Sequence, residues 1–484
     1  MSALQRWGFR LAHAGPGRPV AGMRLAVGEG LEAVTLEDPA GAPLGVALGF
    51  PIDLAARRFA RGAWRVPVAA EEGPDAVAEA ALAGLGGPVL LVLDVAGARS
   101  VRPDAVAQIP CVRDRRTGEI AGSAAQLLSA EDYDARFDRD LFAAADIDAN
   151  GWLPAGLTPH ADVERLLPDH AFDLGPPGPV ADPQRRVRLP GAGPERDPGS
   201  VIDTLADMVE RQTSAATATG RPVFQTLTGG SETRALLALH RRSGRAADLT
   251  FLTIVGGGQY RRDAILARSL ARGLGLRHET LPVRRATQQR RDAYVRRTGA
   301  SVADANAWTH PTLDPLDGAI LLIGLGGEIG RGYVWQRGDG GARDGATLAR
   351  VLRLPTDPRI VAALDAWAAP LADLPRERFL DLLYLENRMG PWASVQFPAH
   401  PGPLRLSPML AQPAVDALLA LPAAMRAAGD FPVRVAERVD PGLLRWRINR
   451  LGPVRERLQL LWRIVTEPRY AARRLRETLT SRGA

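Results

Sequence analysis

Hydrophobic residues follow two different patterns along the chain, and the change occurs near residue 200. Before about residue 180, short apolar runs with alternating or β-branched positions are separated by turns that contain Gly or Pro. The clearest runs are residues 23–27, 31–36, 45–49 and 88–94. This pattern predicts an α+β domain that is mainly β. Within it, residues 111–122 predict a hairpin that turns at Thr117 and Gly118, and residues 130–142 predict a helix.

The second half of the chain alternates strand-like and helix-like segments. Residues 181–200 are dense in Pro and Gly and predict a linker, after which Ser200 is the expected N-cap of a helix over about 201–211. Predicted strands and helices then follow in turn at residues 222–227, 232–243, 249–255, 262–274 and 278–283. This alternation predicts an α/β fold with a parallel sheet and helices on both faces. Ligands of such sheets bind at the carboxyl ends of the strands.

A Gly-Gly pair stands where the first strand of the predicted sheet meets its helix, within residues 226–234. Glycine lets the backbone approach a phosphate closely, and Ser and Thr hydroxyls can donate hydrogen bonds to phosphate oxygens. Glu232 is in addition a candidate ligand for Mg²⁺. The candidate phosphate-binding residues are Thr228, Gly229, Gly230, Ser231, Glu232 and Thr233. The alternative is a tight turn, capped by Ser231 or Thr228, that holds no ligand.

A second glycine-rich turn lies within residues 319–335, again after a run that predicts a buried strand. It contains Gly324, the acid Glu328 and the arginine Arg331. Glu328 is a candidate Mg²⁺ ligand or general base, because a flexible glycine-rich backbone can close on a ligand there. The alternative is a turn in which a buried glutamate pairs with Arg331.

The first stretch resembles the pyrophosphate loop Ser-Gly-Gly-x-Asp-Ser of the asparagine synthetase family, with Glu232 for Asp and Thr233 for Ser. The second resembles the family motif Gly-x-Gly-Ser-Asp-Glu-Leu-Phe-Gly-Gly-Tyr. Glu328 matches its second acid, whereas Gly327 replaces the first, Mg²⁺-binding one. The resemblance implies an adenine-nucleotide-binding domain of the ATP-pyrophosphatase, HUP-like type over residues 201–445, with a helical C-terminal part. It also implies ATP and Mg²⁺ as cofactors, with Glu232 and Glu328 as the metal ligands.

The same resemblance assigns further residues to the site. Because the end of the second strand contacts adenine in this family, Thr253 and Val255 are expected to do so through backbone groups, and Gly324 is a further candidate for nucleotide binding. These synthetases steady pyrophosphate with a lysine, which this chain lacks, so Arg434 is the candidate in its place. The catalytic candidates are Glu328, Arg331 and Arg434.

Residues 1–180 resemble, more diffusely, the N-terminal glutamine amidotransferase-like (Ntn-type) domain of asparagine synthetases. Members that use glutamine carry a nucleophilic cysteine directly after the initiator Met, whereas this chain has Ser2 and only one cysteine, Cys111. We therefore expect a degenerate domain without glutaminase activity. The single cysteine also excludes intramolecular disulfides and cysteine zinc sites.

The composition, with 46% hydrophobic residues and a mean hydropathy of −0.10, is typical of a soluble globular protein. No apolar run reaches the length of a membrane span and the first ten residues lack a signal-peptide core, so a cytoplasmic location is expected. All 61 basic residues are arginine, and residues 445–482 carry a net charge of +8 against +7 for the whole chain. The basic charge is thus concentrated in a predicted helical tail, residues 446–484. We interpret this tail as a packed surface helix or as a contact for an acidic partner or an anionic membrane.

These features predict an asparagine synthetase-like, ATP-dependent ligase that forms amides and releases AMP and pyrophosphate. Its partners would be a small-molecule or peptide carboxylate and an amine. The alternative is a catalytically inactive scaffold or regulator, which Gly327, Glu232 and the missing lysine favour. A nucleic-acid binder is disfavoured because the chain outside the tail is nearly neutral. The sequence specifies no oligomeric state.

Overall fold

The structure is a computed structural model that describes residues 4–147, 151–191, 193–257, 259–302, 305–335, 341–396 and 402–450. Ser2 and the part of the predicted basic tail that follows Arg450 lie outside the described residues.

The first part of the chain is built mainly from short strands, as predicted. Its strands are β1 (Phe9–Ala12), β2 (Arg18–Val20), β3 (Met23–Val27), β4 (Glu32–Glu37), β5 (Pro43–Gly49), β6 (Ile52–Asp53), β7 (Arg58–Phe59), β8 (Ala63–Arg65), β9 (Leu85–Gly86), β10 (Val89–Val95), β11 (Ala98–Pro103), β12 (Val112–Asp114), β13 (Ile120–Ala121), β14 (Val163–Arg165), β15 (His170–Asp173) and β16 (Arg185–Arg186). Its helices are α1 (Gly73–Gly84), α2 (Ala124–Leu127), α3 (Ala130–Ala135) and α4 (Arg139–Ala144). The predicted hairpin is present, with β12 and β13 paired antiparallel.

Two larger sheets form the centre of this domain. Among the described residues, one sheet has the order β14-β12-β13-β1-β3-β2 and the other β16-β15-β11-β10-β5-β4-β8, while β7-β6-β9 form a small third sheet. Residues alternate between two cores along β10. Leu90 and Val92 pack with Phe9 and Leu11 of the facing sheet, whereas Leu91 and Leu93 pack against α1. Because α2 and α3 pack on the outer side of the other sheet, the layers are helix, sheet, sheet and helix.

The helix predicted over residues 130–142 is instead two helices, and the prediction of one was wrong. Phe137 forms an isolated β-bridge with His160, and Asp138 then caps α4 by accepting a hydrogen bond from the Leu141 amide. Aspartate competes for backbone amides in this way, so it favours helix starts over helix interiors.

The predicted linker, residues 181–200, is partly ordered against both neighbours. Arg185 and Arg186 form β16 on the edge of β15, and the Arg186 guanidinium pairs with Glu386 of the second half. The next helix starts at Pro198 with Asp197 as its N-cap, because the Asp197 carboxylate accepts from the Ser200 amide at 3.0 Å. The prediction of Ser200 as the cap was wrong by one turn.

The second part of the chain contains the predicted parallel sheet and most of the helices. Its strands are β17 (Val223–Thr226), β18 (Thr250–Val255), β19 (His278–Pro282), β20 (Ile320–Leu322) and β21 (Leu404–Leu406). Its helices are α5 (Pro198–Thr217), α6 (Ser231–Arg242), α7 (Gln259–Leu274), α8 (Gln288–Arg297), α9 (Ala305–Thr309), α10 (Gly345–Leu352), α11 (Pro358–Ala368), α12 (Arg376–Tyr384), α13 (Gly390–Gln396), α14 (Gln412–Leu419), α15 (Ala423–Ala428) and α16 (Phe431–Val439). A π-helical segment, Leu385–Met389, joins α12 to α13.

The five strands are all parallel and confirm the predicted sheet. Their order is β19-β18-β17-β20-β21, so the chain steps outward on one side and then crosses to the other side of β17. The crossover lies between β17 and β20, where Gln225 is in register with Leu322. In open parallel sheets this reversal leaves a crevice at the carboxyl ends of the two strands.

The two faces of the parallel sheet are covered differently. On one face, β17, β18 and β20 share the large core with apolar residues of α5, α6 and α7. On the other, Leu252 and Leu321 pack with Leu313 and Leu316 of a 3₁₀ segment, His310–Leu316. Within the described ranges, no helix combines the length and the apolarity needed to cross a bilayer.

Candidate functional site

The two glycine-rich stretches form neighbouring loops at the crossover of the parallel sheet. We call residues 227–233, which follow β17, the first glycine loop, and residues 323–332, which follow β20, the second. A Cβ atom added to Gly324 would lie only 3.1 Å from the Glu232 carbonyl oxygen, so the two loops are in direct contact. The sequence placed each loop after its own strand, and the parallel pairing of those strands brings them together.

The backbone amides of the first glycine loop donate hydrogen bonds to side-chain oxygens. The Thr228 amide donates to Thr233 Oγ1 at 3.3 Å, and the Gly230 amide donates to Thr228 Oγ1 at 3.0 Å. The Gly229 amide donates to Asp263 Oδ1 of α7 at 3.2 Å. These three amides at the start of α6 therefore donate to hydroxyl and carboxylate oxygens of the protein itself.

Gly229 packs closely against α7. A Cβ atom there would lie 2.4 Å from Leu266 Cδ1, so a side chain at this position would require the Leu266 side chain to shift. Gly230 is the N-cap of α6, and the Ser231 hydroxyl donates to the carboxylate of Glu232 at 3.0 Å. The close helix contact thus explains the first glycine of the pair without a ligand.

Glu232 forms an ion pair with Arg331 across the two loops, with 3.1 Å between Oε1 and Nη2. The alternative drawn from the sequence paired Arg331 with Glu328, whereas the ion pair found here joins it to Glu232. The Glu328 carboxylate accepts from the Gly326 amide at 3.3 Å. Burial raises the pKa of Glu328, and the nearby Glu232 carboxylate raises it further. The two acids are therefore electrostatically coupled.

The pair of acids suits a Mg²⁺ ion that is bound together with phosphate. Magnesium in nucleotide sites is typically held by one or two carboxylates and completed by phosphates and water. Within the described residues, no group of three or more His, Cys, Asp or Glu side chains could hold a metal by itself. A metal at Glu232 and Glu328 would therefore need further ligands from outside these two side chains.

Gly327 and Glu232 are sterically complementary. A Cβ atom added to Gly327 would lie 3.0 Å from Glu232 Cγ, so the Glu232 side chain occupies space that a side chain at position 327 would need.

The residues expected to contact adenine lie at the carboxyl end of β18, beside the first glycine loop. Thr253 is buried, and its hydroxyl donates to the Leu227 carbonyl at 2.6 Å and meets His278 Nε2 at 2.8 Å. The Val255 carbonyl accepts from the Val283 amide at 2.8 Å. These groups hold the end of β18 to its neighbours in the sheet and to the first glycine loop.

Arg434 lies on α16, whose first turn approaches the second glycine loop through Pro432, with its Cγ 3.3 Å from a Cβ built on Gly327. The Arg434 side chain is 51% exposed and pairs with Asp430 at 3.1 Å and Glu437 at 4.0 Å, both on its own helix. The structure thus places Arg434 near the loops but engages it with its helix neighbours.

The sequence did not single out Arg234, which the structure makes central to the first glycine loop. Its side chain is buried, and its guanidinium donates to the carbonyls of Leu443, Trp446 and Arg447. Burial lowers its pKa to about 10. The Asn449 amide also donates to the Gly229 carbonyl at 2.8 Å, so residues 443–449 lie over the first glycine loop. We call these residues the covering segment. The sequence signal that could have identified Arg234 is an arginine on the apolar face of a predicted helix.

A series of buried side-chain hydrogen bonds connects the first glycine loop to α5 and α6. His240 of α6 contacts Thr213 Oγ1 at 2.8 Å through Nε2 and Gln225 Oε1 at 2.7 Å through Nδ1. Gln225 then donates to the Thr233 carbonyl at 3.2 Å. Burial lowers the pKa of His240 to about 3, so the ring is neutral in the folded protein. The chain links α5, α6 and β17 to the end of the loop.

Arg388 lies between two aromatic rings, one from each half of the chain. Its guanidinium carbon lies 4.3 Å from the ring centre of Trp152 and 5.2 Å from that of Trp392. Trp152 belongs to the first half of the chain, so this cation–π stack fastens the two halves together.

The chain matches no protein-family model and no curated protein sequence. The resemblance to asparagine synthetases therefore depends on the two loop motifs, and the geometry above is what bears on function.

Proposed function

We propose that this chain binds Mg-ATP at the two glycine loops and uses it to activate a carboxylate for amide formation, as an asparagine synthetase-like ligase without glutaminase activity. The single observation that supports this proposal most is the contact of the two loops at the crossover of a parallel sheet. Ligands of such sheets bind at this position. The finer assignment, an ATP-pyrophosphatase, HUP-like domain that works in the cytoplasm, belongs to the same proposal.

In the proposed reaction, a carboxylate oxygen of the substrate attacks the α-phosphorus of ATP while the bond to the bridging oxygen breaks and pyrophosphate leaves. The amine nitrogen of the second substrate then attacks the acyl carbon, loses a proton, and AMP departs. The first glycine loop would bind the pyrophosphate through its amides and hydroxyls, and Arg331 and Arg434 would balance its charge. Bound Mg²⁺ would supply further charge neutralisation at Glu232 and Glu328.

In a complex in which Glu328 does not bind Mg²⁺, it is instead the candidate to accept the proton of the amine. A general base works best when its pKa is close to the working pH, and burial together with Glu232 raises that of Glu328. Its place beside the start of α6 would put it at the reacting end of a nucleotide whose phosphates lie on the first glycine loop.

One observation favours the second candidate function, an inactive scaffold or regulator. The amides of the first glycine loop already meet side-chain oxygens, and Glu232 already pairs with a cation. A fold that had lost its nucleotide could satisfy its polar groups in this way. The two candidates differ in whether Mg-ATP binds and in whether it then reacts.

The first experiment is calorimetric titration of ATP with and without Mg²⁺ on the wild-type chain, on Glu232→Ala and on Glu131→Ala. Glu131 is an exposed acid on α3, so its variant is the matched control. We expect Mg²⁺-dependent binding that Glu131→Ala retains and Glu232→Ala weakens at least tenfold. Absence of binding to the wild type would contradict nucleotide binding at these loops.

Exchange of labelled pyrophosphate into ATP, measured over a panel of carboxylates, then separates the two functions. Exchange with any carboxylate reports adenylation without the amine and supports the ligase. Metal-dependent binding without exchange across the panel supports the inactive scaffold instead.

A further inference from the structure

The seven-stranded sheet in the first part of the chain ends at β8, a strand with an open edge. In this sheet β8 pairs with β4, and the two strands are parallel. The Thr35 amide of β4 donates to the Gly62 carbonyl at 2.8 Å. Because backbone groups alternate in direction along a strand, those of Trp64 face β4, whereas those of Ala63 and Arg65 face away from it.

The outer edge of β8 presents the amides and carbonyls of Ala63 and Arg65 to solvent. Both residues are exposed, and their backbone groups form no hydrogen bond with any other residue that the structure describes. These groups have the spacing of a β-strand, so an extended peptide can continue the ladder there. Unpaired edges of this kind are templates for the addition of a strand.

Arginines lie along this edge, although the first part of the chain is acidic as a whole. Residues 1–180 contain 16 arginines and 24 acids, whereas residues 54–70 contain four arginines and no acid. Three of the four, Arg58, Arg61 and Arg65, are exposed, and their side chains form no ion pair or hydrogen bond within the described ranges. Trp64 packs against α1 at Gly84, so the Arg65 side chain lies on the opposite face of the strand. Positive charge without a partner thus accompanies the unpaired backbone groups.

We propose that the edge of β8 binds an acidic, extended segment of a partner protein, which adds to the sheet as a further strand. The outward amides and carbonyls of Ala63 and Arg65 pair with the main chain of the partner, and the guanidinium groups of Arg61 and Arg65 bind its carboxylates. The main-chain bonds supply affinity and the arginines select the charge. This surface is separate from the two glycine loops and does not depend on nucleotide binding.

Two other occupants fit this edge less well. A second copy of this chain that paired through its own β8 would bring Arg61 and Arg65 of both copies together, and like charges on facing strands repel. A nucleic acid has the negative charge but lacks the regular series of amides and carbonyls that pairs with a strand edge. An acidic peptide satisfies both the charge and the backbone groups.

Fluorescence anisotropy on the full chain tests the proposal with labelled peptides of about ten residues and blocked ends. The first peptide alternates Glu and Thr and therefore has both the charge and the tendency to form a strand. The second has the same sequence with every backbone amide methylated, so it keeps the carboxylates but cannot donate to a strand edge. The third has Lys in place of Glu. We expect the first peptide to bind and the other two to bind at least tenfold more weakly.

Two double variants separate the edge from the net charge of the chain. Arg61→Gln combined with Arg65→Gln should weaken binding of the Glu-Thr peptide about tenfold, because two charged donors are lost. The matched control combines Arg139→Gln with Arg272→Gln and should bind as the wild type does. These two arginines of α4 and α7 are exposed and form no ion pair with the described part of the chain.

Arg65→Pro also removes the outward amide of Arg65 and should weaken binding about threefold more than Arg65→Gln. Edge strands accept proline where the lost N–H faces solvent. If Arg65→Pro fails to fold, judged by circular dichroism, the methylated peptide carries the test of the backbone contacts. The proposal is overturned if the Glu-Thr peptide does not bind, if the methylated peptide or an oligothymidylate of about ten nucleotides binds equally well, or if the Arg61 and Arg65 double variant binds like its control.

Discussion

Arg331 Nη2 lies 3.1 Å from Glu232 Oε1, and this contact joins the two glycine loops. The Glu232 and Arg331 side chains are 19% and 31% exposed, so the pair is only partly shielded from water. Its contribution to stability is therefore modest, and its main effect is on the charge of the loops.

Removing that cation should destabilise the folded chain and strengthen metal binding. We expect Arg331→Gln to lower the free energy of unfolding by about 0.5–1 kcal/mol, because two coupled carboxylates lose their counterion. Urea denaturation with and without Mg²⁺ measures it, and Mg²⁺ should restore more stability to the variant than to the wild type. Arg434→Gln, which removes an exposed arginine from its own helix pairs, should cost less than about 0.5 kcal/mol.

The fit between Gly327 and Glu232 predicts that one substitution rescues another. Gly327→Asp should destabilise the chain by about 1–3 kcal/mol because its Cβ would crowd Glu232. In a Glu232→Ala background, which removes the crowding Cγ atom, the same change should cost clearly less. Gly257→Asp is the control, since a Cβ atom there has open space around it. Equal costs in both backgrounds would show that the two positions are independent.

Burial of His240 should make the free energy of unfolding depend on pH. Its folded pKa of about 3 lies below the ordinary value of 6.5, so the unfolded chain binds a proton that the folded chain does not. Stability should therefore be full above pH 6.5 and fall as the pH drops from 6.5 towards 3, by about 1.4 kcal/mol for each unit at the steepest. Chemical denaturation at several pH values measures this slope. His240→Gln should have a lower stability at pH 7 and a visibly flatter slope below pH 6.5.

Arg234 should limit the access of proteases to the covering segment. In Arg234→Met, three carbonyls lose a charged donor, and we expect a loss of about 2–4 kcal/mol of stability. Limited trypsin digestion, followed by mass spectrometry, should show faster cleavage after Arg445 and Arg447. The control is Arg242→Met on the same helix, which removes an exposed pair with Asp203 and should leave the cleavage rate unchanged.

The sequence predicted those features that depend on neighbouring residues. The strand and helix flanking the first glycine loop were placed to within a few residues, because hydrophobic period and glycine both act locally. The parallel sheet followed from the alternation of strands and helices, whereas the crossover between β17 and β20 was not predicted. Where a single residue competes for backbone amides, as Asp138 and Asp197 do, the local pattern alone was misleading.

Other features depend on partners far along the chain and could not be predicted. The partner of Glu232 is nearly one hundred residues away, and those of Arg234 are more than two hundred. The strand Arg185–Arg186 forms in a Pro- and Gly-rich stretch only because β15 offers an edge. Pairings of this kind are set by the tertiary fold and leave no period in the sequence.

The covering segment imposes an order on how the chain can mature. The first glycine loop is complete by residue 233, yet the buried guanidinium of Arg234 finds its acceptors only at residues 443–447, and the Gly229 carbonyl finds its donor at Asn449. During synthesis from the N-terminus, more than two hundred residues must emerge before these contacts can form. A growing chain would therefore hold a finished N-terminal domain while its candidate nucleotide loop still lacked the segment that fixes it, and shortened chains that end before residue 443 would never complete that loop.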